Sequence, residues 1–133
     1  MSAIFQVTDY YKLMALHKAL MQAKFARHPV DPIISGSPLI ADMANQIVET
    51  LAQMEIERGQ PERAQDWKFR IDPSGEVWQI ALSRINPNEK MWQKWTLEEK
   101  KQFCALLLSP FEFDEELLLE FVRQADDPVE PNN

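Results

Sequence analysis

The sequence has 133 residues, of which 45% are hydrophobic and 26% are charged, and its formal net charge is −7. These values fit one globular domain and exclude a collagen-like chain, a disulfide scaffold and a wholly disordered chain. The negative sum also disfavours a generic nucleic-acid binder that relies on a surplus of cations.

The first predicted element is a helix over residues 9–27, with Thr8 as its N-cap. Its apolar side chains form two stripes on a 3.6-residue wheel, and charged residues lie between them. One stripe contains Leu13, Leu16, Leu20 and Ala23, and the other contains Tyr10, Met14, Met21 and Phe25. A central helix packed on two sides is the preferred interpretation, and the alternative assigns the second stripe to a partner. Under that alternative Met14, Met21 and Phe25 are the candidate residues for self-association.

The second predicted element is a helix over residues 38–58, which follows a proline-rich loop over residues 28–38. Ser37 and Pro38 mark its start, because a hydroxyl N-cap precedes a proline at the first helical position. Gly59 fits the position just after the helix, and Pro61 prevents its continuation. The predicted core face of this helix contains Leu39, Ile40, Met43, Ile47, Leu51 and Met54.

A β-hairpin is predicted over residues 67–85. Apolar residues alternate with mostly polar ones on both sides of a turn that runs from Asp72 to Gly75. Alternation of this kind is typical of strands with one buried face, and Asp, Pro and Gly are favoured in the connecting turn. Residues 3–7 are a weaker candidate for a third strand.

The last part of the chain is predicted to contain two shorter helices. A connector over residues 86–95 leads to a capping box at Thr96–Glu99 and a helix that ends near residue 108. The final helix begins either near Pro110 or near Glu115, and residues 127–133 form a polar, flexible tail. The sequence therefore predicts a single α+β domain over residues 1–126, in the order helix, helix, β-hairpin, helix, helix.

Residues that could carry out chemistry are few and scattered. The three glycines are far apart, so no phosphate-binding loop is present, and His17, His28 and Cys104 do not form a metal-binding pattern. No pair of carboxylates is singled out for acid–base catalysis. We therefore expect no cofactor, no metal and no catalytic residue, with an unrecognised carboxylate-based enzyme as an alternative.

The sequence also contains information on cellular compartment and membrane association. No apolar run approaches the roughly 18 residues that a membrane span needs, and the N-terminus lacks the pattern of a signal peptide. The single cysteine, Cys104, cannot form an internal disulfide. A cytoplasmic protein without a membrane span is the expectation.

Charge is segregated along the chain. The net charge is +3 over residues 1–28, −3 over residues 29–109 and −7 over residues 110–133. Solvated surface is the simplest explanation, but an acidic C-terminal segment also suits a partner with a basic surface. The cations of the first helix suggest contact with a phosphate backbone, although the helical wheel scatters Lys12, Lys18, Lys24 and Arg27 around its circumference.

These observations favour a small, acidic, non-enzymatic protein-binding protein, such as an adaptor, an inhibitor, an antitoxin or immunity-type factor, or an assembly subunit. The predicted partner contacts are Trp92, Trp95, Glu115, Glu116 and Glu120, because tryptophan is enriched at binding hot spots and the carboxylates form the acidic segment. The two tryptophans could instead cover the open edge of a small core. A homodimer, or a subunit of a nucleic-acid-acting complex that uses the first helix, is the alternative.

Overall fold

The computed structural model describes residues 3–127 of the chain, and in that range the fold is all-helical. The helices are α1 Tyr10–Lys24, α2 Ile33–Gly36, α3 Pro38–Glu57, α4 Pro61–Ala64, a short 3₁₀-helix Gln65–Trp67, α5 Glu76–Leu82, α6 Lys90–Lys94, α7 Leu97–Leu108 and α8 Glu115–Asp126. No strand occurs between residues 3 and 127, so the predicted α+β class is wrong. Residues 128–133 of the predicted tail lie outside the described residues.

The helix starts follow the capping chemistry of the sequence. The Ser37 hydroxyl accepts from the backbone N–H of Ile40, and the side chains of Thr96 and Glu99 form the predicted capping box. Asp114 accepts from the N–H of Leu117 at 2.8 Å, so the final helix begins at Glu115 rather than near Pro110. In α1 the cap is Asp9 and not Thr8.

The predicted hairpin is replaced by an extended segment, a turn and helix α5. Asp72 Oδ1 accepts from the backbone N–H of Ser74 at 2.9 Å, which forms the turn, but the chain then enters a helix. Trp78 and Ala81 are buried because α5 turns them to the same face. The only strand-like pairing in the described residues is a single parallel bridge between Arg70 and Glu112. The alternation of apolar residues therefore does not specify a strand here, because helical spacing also fits this apolar segment.

Three segments outside the longer helices differ from their predictions. Residues 3–7 form no strand, although their backbone belongs to no helix either. The proline-rich loop contains α2, and the connector before the capping box contains α6. Both inserted helices are a single turn long, which is below the length that apolar periodicity can detect.

The buried face of α3 agrees only in part with the predicted one. Ala41, Ala44 and Ala52 are buried, whereas Leu39 and Met43 are exposed. Helices α1 and α4 pack against α3, and small side chains let neighbouring helices approach closely. The predicted face is therefore right at Ile47 and Leu51, which are buried, and wrong at Leu39 and Met43, because small alanine side chains form much of the contact.

Two buried clusters hold the helices together. The α1–α3 core is built on Leu13, Ile47 and Leu51. The α5–α8 core is larger and contains Ile71, Trp78, Ala81, Trp92, Cys104, Leu107, Leu108, Leu118, Phe121, Val122 and Ala125. Inside the larger core the Trp78 indole packs edge-on against Phe121 and donates to Gln124 Oε1 at 2.9 Å. Helix α6 lies at the border of this core, which places it beside the candidate site.

Candidate functional site

Trp92 is a core residue that attaches α6 to the two C-terminal helices. Its side chain is 5% exposed, and its indole N–H donates to Asp126 Oδ1 at 2.9 Å. Lys100 Nζ donates to the same oxygen at 2.8 Å and lies 5.0 Å from the centre of the Trp92 ring. A side chain held in this way covers the edge of the core. Sequence analysis gives this role as the alternative to a partner contact. A partner would reach only its edge.

Trp95 is half-buried against the α5–α8 core and forms one wall of an aromatic cavity. Its ring centre is 5.9 Å from that of Trp92 and 5.5 Å from that of Phe103, and Met91 beside it is 63% exposed. The cavity has a volume of about 240 Å³. Its lining residues are Arg84, Ile85, Asn86, Glu89, Met91, Trp92, Trp95 and Phe103. We refer to it as the Trp95 cavity.

Helix α2 supports the wall that Phe103 forms. A Cβ atom added to Gly36 would lie 2.8 Å from Cε1 of the Phe103 ring, so this position needs a glycine for the close approach. The short α2 helix therefore packs directly on α7 next to the cavity. Gly36, which the sequence places in a proline-rich loop, is therefore a packing residue.

Arg84 contributes a fixed guanidinium group to the Trp95 cavity. Its Nε donates to Ser35 Oγ at 2.9 Å, and its Nη2 donates to the backbone carbonyls of Lys24 and Ala26. Ser35 Oγ in turn donates to the Lys24 carbonyl at 3.0 Å. The carbonyls at the end of α1 and the hydroxyl of α2 thus hold the guanidinium in one orientation.

Lys24 is a buried cation close to Arg84. The side chain is 1% exposed, and its Nζ donates to the carbonyls of Leu106 and Leu107 at 2.5 and 2.9 Å, which terminates α7. Burial is the main cause and the charge of Arg84 a smaller one, and together they lower the pKa of Lys24 to about 7. Within residues 3–127, neither Lys24 nor Arg84 has a carboxylate within ion-pair distance.

The predicted acidic contacts on α8 are mostly paired with cations. Glu115 forms an ion pair with Lys101, and Glu120 pairs with Arg123 at 2.6 Å. Hydrogen bonding to Arg123 and Gln124 lowers the pKa of Glu120 to about 2. Glu116 is exposed and has no ion-pair partner among the described residues. It is the one of the three predicted carboxylates that no described cation pairs with.

Two further acids of the C-terminal segment are paired across the fold. Asp114 accepts from Arg70 at 2.6 Å, and Asp126 accepts from Lys100. The Arg70 guanidinium lowers the pKa of Asp114. The segment that is acidic in sequence is therefore surrounded by cations that come from other parts of the chain.

The residues predicted for self-association are half-buried within the chain. Met14 packs on the α1–α3 core, and Phe25 packs edge-on against Phe111 with ring centres 5.5 Å apart. Met21 is also half-buried. This placement agrees with a central helix packed on two sides, and it leaves these three side chains little surface for a second copy.

Three other groups singled out by sequence or burial lie away from the cavity. Burial raises the pKa of the Cys104 thiol to about 12, and His17 packs edge-on against Trp67 while burial lowers its pKa. Glu55 is buried in α3, where its Oε1 accepts from the Tyr10 hydroxyl. That hydrogen bond raises the pKa of Tyr10, and Glu55 Oε2 has no hydrogen-bond partner among the described residues.

Between residues 3 and 127, no three side chains of His, Cys, Asp or Glu come together in a way that could hold a metal ion. None of the helices described there has the length and apolarity to cross a bilayer.

Comparison with protein-family models, with curated proteins and with solved structures gives no match to this chain. The candidate site therefore depends on its own geometry. Sequence reasoning selected Trp92 and Trp95 but missed Arg84, Asn86 and Phe103. Helical spacing would have placed Phe103 near the surface of α7, whereas no local signal marks Arg84, since its hydrogen-bond acceptors lie about 50 residues or more away along the chain.

Proposed function

We propose that the chain is a cytoplasmic, non-enzymatic protein-binding protein that contacts its partner through the Trp95 cavity. The main support is a surface-accessible pocket lined by Met91, Trp95 and Phe103. Aromatic and methionine side chains in a partly desolvated pocket are typical of the centre of a protein interface.

The size of the cavity favours a protein partner over a small molecule. Small-molecule sites measure about 300–1,000 Å³, and this cavity is smaller, at about 240 Å³. A space of this size suits one anchoring side chain of a partner, while surrounding surface supplies the remaining contacts. Exposed Leu97, which begins the helix next to α6, adds apolar surface on the same part of the chain.

Charge contributes at longer range. The chain carries a net charge of −7, so its average field attracts a partner with a basic surface and accelerates encounter. Glu116 is the predicted contact residue on α8 that lies free for such an encounter, because Glu115 and Glu120 are already paired. We assign α1 no role in self-association, since Met14 and Phe25 make contacts within the chain.

The test compares partner recovery by two charge-introducing variants of the full chain. Met91→Asp places a carboxylate at the cavity, and Leu39→Asp places one on α3 at a side chain that is similarly exposed. Tagged wild-type chain and both variants are incubated with an extract of the source organism, and stoichiometric partners are quantified by mass spectrometry. We expect one partner to be recovered by the wild type and by Leu39→Asp, and to be lost with Met91→Asp.

Circular dichroism of both variants checks that each one is folded. Equal recovery by Met91→Asp, or the absence of any stoichiometric partner with the wild type, would contradict the proposed function.

A further inference from the structure

We infer that the Trp95 cavity binds the C-terminal residue of a partner polypeptide, with its free carboxylate at Arg84 and its apolar side chain between Trp95 and Phe103. This inference rests on the proposed function and specifies the chemical group that occupies the site. The evidence is the hydrogen bonding of Arg84, in which some N–H donors have acceptors within the chain and others have none.

Arg84 has one edge without an acceptor. A guanidinium group has five N–H donors, and in this structure Nε and Nη2 have acceptors in the end of α1 and in α2. Nη1 has no acceptor among the described residues. Nη1 is also not fully buried. Among the described residues, the one fully buried side-chain nitrogen or oxygen atom without a hydrogen-bond partner is Oε2 of Glu55. Because Arg84 lines the cavity, we assign the open donors of Nη1 to the group that enters it.

The charge of Arg84 is also uncompensated nearby. No carboxylate lies within ion-pair distance of Arg84 in residues 3–127, and the buried Lys24, whose pKa the charge of Arg84 lowers, is itself a cation. Burial lowers the pKa of Arg84, which shows that its charged form is only partly solvated. A carboxylate that enters from outside would supply the missing countercharge, and guanidinium–carboxylate hydrogen bonds are among the strong ones in proteins.

Asn86 offers a second donor in the same cavity. Its side-chain oxygen accepts from the backbone N–H of Asn88 at 3.0 Å, which fixes the direction of the amide. The Asn86 Nδ2 group has no acceptor among the described residues, and Asn86 lines the cavity together with Arg84. Two unpaired donors beside an aromatic wall suit an anionic group that is attached to an apolar one.

Glu89 limits which anions are accepted. It lines the cavity, is exposed and caps no backbone group with its side chain. Its negative charge repels every carboxylate that enters the cavity, so a ligand with two carboxylates is disfavoured more strongly than one with a single carboxylate and an apolar side chain. A polypeptide C-terminus with an apolar last residue meets these conditions, and the segment that precedes it can be basic, in agreement with the net charge of this chain.

The experiment uses small probes that differ only in the terminal group. N-acetyl-leucine and N-acetyl-leucine amide are titrated into the full chain, and the indole N–H resonance of Trp95 is followed by NMR. We expect the acid to bind at least about tenfold more tightly than the amide, which corresponds to one hydrogen-bonded charge pair. Acetate, which lacks the apolar group, should leave the Trp95 resonance in place.

Two variants test the polar groups without removing Arg84, whose loss would disturb the junction of α1 and α2. Asn86→Asp retains the oxygen that accepts from Asn88 but removes the free donor and adds a negative charge. It should reduce binding of the acid to the level of the amide. Glu89→Gln removes the repulsion and should strengthen binding of the acid alone.

Equal binding of the acid and the amide, or no response to either one, would overturn the inference about the carboxylate. An equal response to acetate would overturn the role of the apolar wall. The proposed function fails separately, in the recovery experiment with Met91→Asp, so the two failures can be told apart.

Discussion

Lys24 is the residue whose environment departs furthest from its ordinary one. Charged side chains are rarely buried without a partner, and this ammonium group has only two backbone carbonyls as acceptors. Desolvation disfavours the charged form, which explains why its pKa falls to about 7. The side chain joins the end of α1 to the end of α7, so its protonation state affects the stability of that junction.

We predict that Lys24 makes the free energy of unfolding rise with pH between 7 and 9. Its pKa is about 7 when folded and 10.5 in the reference state, so the unfolded chain binds more protons in this interval and stability increases with pH. Above pH 9 the buried Cys104 acts in the opposite direction, because its pKa rises from 9.0 to about 12 on folding. Lys24 therefore dominates the change between pH 7 and pH 9, and the opposing effect of Cys104 grows only toward the upper end of that window.

Urea unfolding of the wild type and of Lys24→Met at several pH values checks this prediction. The variant should lose most of the slope in the window, whereas Lys18→Met, which changes an exposed lysine, should keep it. A slope that is unchanged in Lys24→Met would show that the buried lysine keeps its ordinary pKa.

Prediction from sequence succeeded for residues that hydrogen-bond to near neighbours in the chain. It failed for residues that hydrogen-bond to groups far away in the sequence. Ser37, Thr96 and Asp114 cap the helices as predicted, because an N-cap bonds to a backbone N–H two or three positions later. Lys24 and Arg84 bond to groups that other helices bring to them. No pattern within a few residues could reveal those partners.

At the scale of the element, α5 shows why periodicity is ambiguous in a short segment. Seven residues fit both the two-residue repeat of a strand and the 3.6-residue repeat of a helix when they contain several apolar side chains. Packing decides between the two, since Trp78 and Ala81 reach the same buried face only in a helix. Glu76 in the first turn also favours the helix, because a carboxylate interacts well with the positive end of the helix dipole.

We predict that two substitutions at the exposed Gln79 distinguish a helix from a strand at this position. Alanine is the best helix former and a poor strand former, whereas threonine has the opposite preference. In the helix described here, Gln79→Ala should be more stable than Gln79→Thr by about 0.5 kcal/mol. Chemical denaturation of both variants gives the difference, and the reverse order would restore the β-hairpin.

The candidate site was predictable only in part at this scale. Two tryptophans in one connector indicated a contact or covering role, and the structure places both beside the cavity, with Trp92 in the core. Helix α6, which positions them, has five residues and gives no periodic signal. Its conformation follows from the burial of Trp92 and its hydrogen bond to Asp126, which is a tertiary contact.

At the scale of the whole molecule, folding redistributes the charge that is segregated along the chain. Four acids of residues 110–127 pair with cations of α7, of α8 and of the loop before α5, as in the contacts of Asp114 with Arg70 and of Asp126 with Lys100. In the basic N-terminal segment, residues 1–28, Lys24 is buried and Arg27 is paired with Glu76 at 2.5 Å. A net charge counted along the sequence therefore overstates the contrast between the two ends of the folded chain.

We predict that the chain does not bind double-stranded DNA or RNA, even at low ionic strength. Of the four cations on the first predicted helix, only Lys12 and Lys18 are exposed and lack an ion-pair partner among the described residues, and two phosphate contacts give little affinity to a chain with a net charge of −7. Fluorescence anisotropy of a labelled duplex, titrated with the full chain at several salt concentrations, measures this directly. Salt-dependent binding that disappears on combining Lys12→Glu with Lys18→Glu would contradict the prediction and would show that α1 contacts a phosphate backbone. Binding that survives both changes would instead place the contact elsewhere on the surface, and would equally contradict the expectation drawn from the charge of the whole molecule.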